Sequence, residues 1–337
     1  MRTAAPASSA DLRDTLERLK AARQAIVREI KKVIVGQDGP IEQVLAGLFA
    51  GRHCMILGPP GTAKTVLIAT LARVLHLDFK RIQFAPDLMP SDITGAEILE
   101  EDRTTGRRFR KFVKGPVFTN MLMADEINRT PPKTQAALLE VMQEKQVTVS
   151  GQTNPLPQPF YVLATQNTME QEGTYPLPEA QQDRFMLSIM MTYLPEDQEA
   201  AVVRQSTGAR KVELDRVLGP AELLEFIGAV RRVVLTPELG RYIVDLVAAT
   251  RPTVDGAPDF VKEYVSWGAG TRASQNIALT AKSLAAQDGR TTVALGDIGK
   301  ALVPVLRHRI GLSFRAEVDR VKVESLIPRI VETVSTP

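Results

Sequence analysis

Residues 54–75 read C-M-I-L-G-P-P-G-T-A-K-T-V-L-I-A-T-L-A-R-V-L. The first four are a short apolar run of buried-strand character, and the last ten repeat apolar residues at helical spacing. Between them lie two glycines, two prolines, a lysine and two threonines. A strand, a Gly-rich turn and a helix in that order form the context in which backbone N–H groups can turn toward a phosphate chain. Gly58, Pro59, Pro60, Gly61, Thr62, Ala63, Lys64, Thr65 and Val66 are therefore the candidate nucleotide-contacting residues. Lys64 is placed to reach β- and γ-phosphates, Thr65 to ligate Mg²⁺ through its hydroxyl, and the helix to add its positive N-terminal end. The bland alternative is a plain Gly/Pro turn. The usual form of the motif has glycine directly before the lysine, where this chain has Ala63. A positive φ there would strain an alanine by roughly 1 kcal/mol.

About sixty residues on, Asn120-Met-Leu-Met-Ala124 reads as a strand that ends in Asp125-Glu126. Two carboxylates at the carboxyl end of a strand lie where open α/β sheets bind ligands. Asp125 would hold Mg²⁺ through water, and Glu126 would orient and deprotonate an attacking water. Alone, the pair reads as a solvated acidic turn.

Five apolar runs, C-M-I-L, R-I-Q-F, N-M-L-M-A, Y-V-L-A-T and M-L-S-I-M-M, alternate with mostly helix-length segments between residues 54 and 191. That pattern predicts a five-stranded parallel sheet with helices on both faces, an α/β fold. After residue 198 nearly everything reads as helix, including Thr236-Pro237-Glu238 as an N-cap followed by proline. The expected organisation is a disordered tail over 1–10, an α/β core over 11–200, a linker over 201–218 and an all-α lid domain over 219–337. The 337 residues carry a net charge of +3, too weak a balance to argue for nucleic acid without a localised patch. A single cysteine, Cys54, excludes an internal disulfide and points to a reducing compartment. With no apolar leader and no long apolar window, a cytoplasmic protein is expected. The dispersed His53, His76 and His308 offer no zinc or haem spacing.

Several longer stretches carry a family resemblance: G-P-P-G-T-A-K-T at 58–65, F-A-P-D-L-M-P-S-D-I-T-G at 84–95, A-D-E-I-N-R-T-P-P-K-T-Q-A-A-L-L-E-V-M-Q-E at 124–144, A-T-Q-N at 164–167, E-G-T-Y-P-L-P-E-A-Q-Q-D-R-F at 172–185 and V-L-R-H-R-I at 305–310. They resemble the AAA+ ATPases of the MoxR group, near the magnesium-chelatase and MCM-like members that carry an insertion in the second helix. The resemblance covers roughly residues 11–325. Alanine before the lysine is what P-loops of this group show. By position the resemblance implies Walker A at 58–65, Walker B at Asp125-Glu126, sensor 1 at Asn167, an arginine finger at Arg184 and sensor 2 at Arg272, the last acting in cis or in trans. The family pattern for sensor 2 is G-A-S-x-R, and here Gly270 replaces the serine. Val35, between Ile34 and Gly36, matches the adenine-side segment, although such residues also read as plain packing. Thr271 reads as the N-cap of the helix that carries Arg272.

The same resemblance implies ATP and Mg²⁺ as cofactors, a hexameric ring and chaperone-like remodelling of a protein client, with von Willebrand factor A domain proteins as partners. Residues 97–118 read as a hairpin around T-T-G, acidic before and basic after, in the place of the helix-2 insertion. It reads either as a solvated cross-strand-paired element or as a pore-facing loop. Q-V-T-V-S-G-Q-T-N-P-L-P at 146–157 resembles the hairpin before sensor 1. Two alternatives stay open. One is an MCM-like nucleic-acid motor gripping through Arg107, Arg108, Arg110 and Lys111, and the other is a nucleotide switch that scarcely hydrolyses.

Overall fold

Each of the five apolar runs becomes a strand of one sheet in the computed structural model, which describes residues 9–101, 108–169, 173–208 and 212–337. Helix α1 (Ser9–Lys31) buries Leu12, Leu16, Leu19, Ile26 and Ile30. It begins two residues inside the stretch expected to be tail, with Asp11 complementing the positive end of its dipole. Helix α2 (Asp38–Phe49), strand β1 (Cys54–Gly58) and helix α3 (Lys64–Val74) follow, so the glycine turn joins strand to helix as read.

Strand β2 (Phe79–Gln83) leads through α4 (Pro90–Thr94) into an antiparallel hairpin, β3 (Gly95–Glu101) with β4 (Arg108–Lys114). The T-T-G turn and Arg107 lie outside the described residues. Strand β5 (Met121–Asp125), a 3₁₀ turn at Ile127–Arg129 and α5 (Pro132–Glu144) precede a second hairpin, β6 (Gln146–Val149) with β7 (Gln152–Pro155). Strand β8 (Tyr161–Asn167), the one-turn α6 (Glu179–Gln182) and β9 (Leu187–Met190) complete the α/β part. Helix α7 (Glu196–Ser206) runs across residue 200. The chain from 212 to 219 forms no helix or strand, and the Val217 N–H donates to the Val74 carbonyl at 2.8 Å.

The strand order is β2-β5-β8-β1-β9, all parallel. Because successive side chains of a strand point to opposite faces, the sheet divides its apolar residues between two cores. Cys54, Ile56, Met121, Met123, Tyr161 and Leu163 enter one cluster, and Met55, Leu122, Ala124, Val162 and Ala164 the other. The first cluster continues without a break into the C-terminal helices α8 (Pro220–Arg232), α9 (Pro237–Ala248), α10 (Asp259–Tyr264), α11 (Thr271–Gln287), α12 (Leu295–Leu306), α13 (Phe314–Val318) and α14 (Val323–Thr333). Helix α9 is capped as read, the Thr236 hydroxyl accepting from the Leu239 N–H at 3.4 Å. Helix α11 differs by one residue: Gly270 is the N-cap and Thr271 the first helical residue. Strands β10 (Val265–Trp267) and β11 (Gly311–Leu312) form a small antiparallel pair. Among the described residues no helix is long and apolar enough to cross a membrane.

One stretch ties the halves together. Arg309, only 3% exposed, donates to the Asp183 carboxylate at 2.7 Å and to the carbonyls of Asp183, Phe185, Met186 and Val305. Arg307 donates to the Ser188 carbonyl at 2.7 Å, and His308 Nε2 to the Phe185 carbonyl at 3.1 Å. The stretch V-L-R-H-R-I thus clamps the segment that enters β9. At the same edge of the sheet, within the α/β part, buried His53 accepts from the Val162 N–H at Nδ1, 3.0 Å, which leaves Nε2 to donate to the Met142 carbonyl at 3.1 Å. Burial first, then the charges of Lys145 and Arg52, lower the His53 pKa to about 4.

A folded-state pKa depressed below that of the unfolded chain gives stability that is present above the unfolded value, about 6.5, and lost as pH falls toward 4. The full shift corresponds to about 3 kcal/mol. Urea unfolding at pH 7 and at pH 4.5 is expected to show His53→Gln losing less stability between the two than the parent chain. An equal loss in both would mean that the His53 pKa is the same in the folded and the unfolded chain.

Candidate functional site

A cavity of ≈ 470 Å³ opens at the carboxyl edge of the sheet, lined by the loop residues Pro60–Val66 and by Arg81, Gln83, Asp125, Glu126 and Asn167. The strand register explains the convergence. Asn167 on β8 pairs with Gly58 on β1, and Gln83 on β2 pairs with Asp125 on β5, so residues far apart in sequence end at one level of the sheet. Gly58 and Pro59 lie behind the lining and present carbonyls to the Lys64 ammonium at 2.7 and 2.8 Å. A Cβ on Gly58 would meet the Met191 carbonyl oxygen at 2.3 Å, which is why the strand ends in glycine. Ala63 caps α3 at φ 66°, the left-handed conformation that favours glycine, and so carries strain on the order of 1 kcal/mol. Burial lowers the Lys64 pKa from its ordinary value, with Asp125 and Glu126 drawing it back up.

The two acids are positioned by a residue the apolar reading of β8 passed over. Thr165, fully buried, donates to Asp125 Oδ1 at 2.5 Å and accepts from the Glu126 N–H at 2.9 Å. Asp125 Oδ2 receives Arg81 Nη2 at 2.5 Å and Nε at 3.0 Å. Glu126 sits at φ 56°, and its Oε2 receives Gln83 Nε2 at 2.8 Å and Arg129 at 3.0 Å. Arg81, Gln83 and Thr165 were missed because each occupies a strand whose pattern reads as structural. The signal available was their position near strand ends in parallel register with the acids.

A metal suits this donor set. A threonine hydroxyl and a carboxylate are the hard oxygen ligands that Mg²⁺ takes, and among the described residues there is no cluster of three or more histidines, cysteines or acids to enclose an ion. Such an ion would complete its shell from phosphate and water, with Thr65 and Asp125 as the protein ligands.

The remaining sequence-predicted residues lie elsewhere. Val35 is absent from the cavity wall; Gly36 beside it packs against Leu194 and Gln198, and Gln37 donates to the Thr192 carbonyl at 2.8 Å. Arg184 lies two residues beyond α6, in the turn into β9 rather than in the helix. It lines a second cavity of ≈ 280 Å³ together with Arg272, Arg52, Lys145, His53 and Asp183. Asp183 pairs with Arg272 at 2.8 Å and with Arg309 at 2.7 Å, not with Arg184. This second cavity is at the amino edge of the sheet, since Arg52 and Arg184 precede β1 and β9, whose Cys54 and Leu187 are paired. Four residue steps from Cys54 to Gly58 put about 13 Å of strand between the two edges.

Comparison with known proteins agrees with this architecture. Residues 53–187 match the ATPase family associated with various cellular activities (AAA), and residues 259–330 match the AAA lid domain. The chain is 42% identical over 309 residues to Chaperone MoxR1 of Mycobacterium tuberculosis, covering 92% of this chain and 81% of that protein. It is 31% identical to Protein MoxR of Methylorubrum extorquens, covering 92% and 94%. A crystal structure of a Cytophaga hutchinsonii protein superposes with a TM-score of 0.88 at 40% identity, covering 96% of this chain and 97% of that one. Motifs, strand order and relatives together place the chain in the MoxR family of AAA+ ATPases.

Proposed function

We propose that this protein hydrolyses Mg²⁺-bound ATP at the contacts between copies of itself in a hexameric ring, and that hydrolysis drives remodelling or maturation of a protein client, one bearing a von Willebrand factor A domain. The observation that carries this reading is the separation of Arg184 and Arg272 from Lys64, Asp125 and Glu126, with the two groups at opposite edges of one parallel sheet. An arginine side chain cannot span about 13 Å of strand to a phosphate on its own loop. It can meet the phosphate of a neighbouring copy, and the same reasoning makes Arg272 a trans residue.

In this reading Lys64 leaves the carbonyls of Gly58 and Pro59 for the β- and γ-phosphates. Thr65 and Asp125 would hold a Mg²⁺ ion, which would supply neutralisation of phosphate charge. Asn167 orients a water, Glu126 accepts its proton, the oxygen bonds to the γ-phosphorus and the bond to the bridging oxygen breaks, giving ADP and phosphate. Gln83 and Arg129 both hold Glu126 Oε2 and so orient the carboxylate.

The helix-2 insertion favours a protein client over nucleic acid. Arg108, Arg110 and Lys111 face Glu101, Glu97 and Glu100 at 3.2, 3.7 and 2.8 Å, so these three cations are neutralised across the hairpin's own strands, while Lys114 lies over the Phe118 ring. Ile98, Leu99, Phe109 and Val113 are its exposed apolar residues. The similarity to a protein named as a chaperone supports the same choice.

Two outcomes are expected. Glu126→Gln and Arg184→Ala should each lose turnover, the latter by on the order of 10³-fold or more, and an equal mixture should regain activity at interfaces that combine an intact Glu126 with an intact Arg184. A mixture as inactive as its components would defeat the interface reading. Thr165→Val strips one hydroxyl from both acids. Turnover should fall at least about tenfold while stability drops by about 1–2 kcal/mol, both read from steady-state kinetics and urea melts.

A further inference from the structure

The cavity at the amino edge of the sheet holds more positive charge than a finger and a sensor require. Arg52 precedes β1 and Lys145 ends α5, and both line it beside Arg184 and Arg272. Among the described residues the side chains of Arg52, Lys145 and Arg184 make no hydrogen bond or ion pair. The only carboxylate in the wall, Asp183, is already taken by buried Arg309 and by Arg272. Elsewhere on this chain cations are commonly paired, as at Arg18 with Glu222 and Glu225 or Arg290 with Asp288 and Asp297. Crowding shows in the pKa directions: burial lowers Arg52, with Arg231 and Arg272 adding to it, and burial lowers Lys145, with Arg52 and Arg231 adding to it. Lys145 also stands at φ 54°, a backbone conformation lysine has no reason to prefer.

Uncompensated like charges gathered around a concave surface destabilise the isolated chain and suit a polyanion. We infer that Arg52 and Lys145 belong, with Arg184 and Arg272, to a four-cation receptor for the terminal phosphates of the nucleotide held by a neighbouring copy. This rests on the interface reading above and extends it by two residues. Free phosphate has the same chemistry as a nucleotide tail, and mixed assemblies separate the two sources. Only a phosphate chain on a second copy allows a defect in one chain to be made good by another.

The test uses full-length Lys145→Asn and Arg52→Gln. Asparagine tolerates the left-handed backbone, so Lys145→Asn removes the charge without adding strain. Each variant is expected to lose turnover at saturating ATP by on the order of 10- to 100-fold. Binding of a fluorescent ATP analogue to its own P-loop should be unchanged, and its melting temperature unchanged or raised. Lys145→Arg should recover much of the lost turnover. Mixed with Glu126→Gln, Lys145→Asn should exceed the sum of the two alone. If that pair gains nothing while Arg184→Ala with Glu126→Gln does, the inference is overturned and the trans finger stands; the same result would follow from free phosphate in the cavity or from a purely structural lysine. If neither pair gains, the interface reading falls and this one with it. Wild-type turnover in both single variants also overturns it.

Discussion

A parallel sheet has two unlike edges, and the architecture of this protein follows from keeping them apart. All five strands run the same way, so every loop that leaves a strand tip emerges on the side of Gly58 and Asp125, and every segment that enters a strand lies on the side of Arg52 and Arg184. The carboxyl edge gathers the glycine turn, two acids and Asn167, and the amino edge gathers cations. No side-chain rearrangement within one copy brings those groups together, because the strands between them are buried on both faces. The chemistry assigned to the chain is therefore divided by its topology before any partner is considered.

Local conformational cost concentrates at the same places. Ala63 and Glu126 both occupy the left-handed region, at the two positions where the chain must leave a strand or enter a helix beside the phosphate site. Strain of this kind persists only where the surroundings over-determine it. Here they do: the Thr165 hydroxyl holds the Glu126 backbone, and Met191 closes the space behind Gly58. Arg81 against Asp125 and Gln83 against Glu126 satisfy the acids within the chain.

Much of this was legible in the residues. Five short apolar runs predicted five strands in one parallel sheet because a strand buried on both faces must be apolar throughout, and each run is found there. The glycine turn and the Asp125-Glu126 pair were readable because close backbone approach and paired charge restrict residue type. The rest depends on register. Nothing in R-I-Q-F marks Arg81 and Gln83 as neighbours of the acids until β2 is laid beside β5, and Thr165 looks like part of an apolar strand until its hydroxyl is seen between the Asp125 carboxylate and the Glu126 N–H. Thr271 reads as a cap because threonine suits that role, yet Gly270 holds the position. Arg52 and Lys145 are separated by more than ninety residues, and only packing of α5 beneath His53 brings them to one cavity.

The clamp made by Arg307, His308 and Arg309 couples movement across the molecule. These residues follow directly on α12 and grip the carbonyls of the segment carrying Arg184 through several short hydrogen bonds, one of the donors wholly enclosed. Such a joint has no slack. A tilt of α12 would carry the turn before β9 with it, so the C-terminal helices form a lever on the turn that holds Arg184.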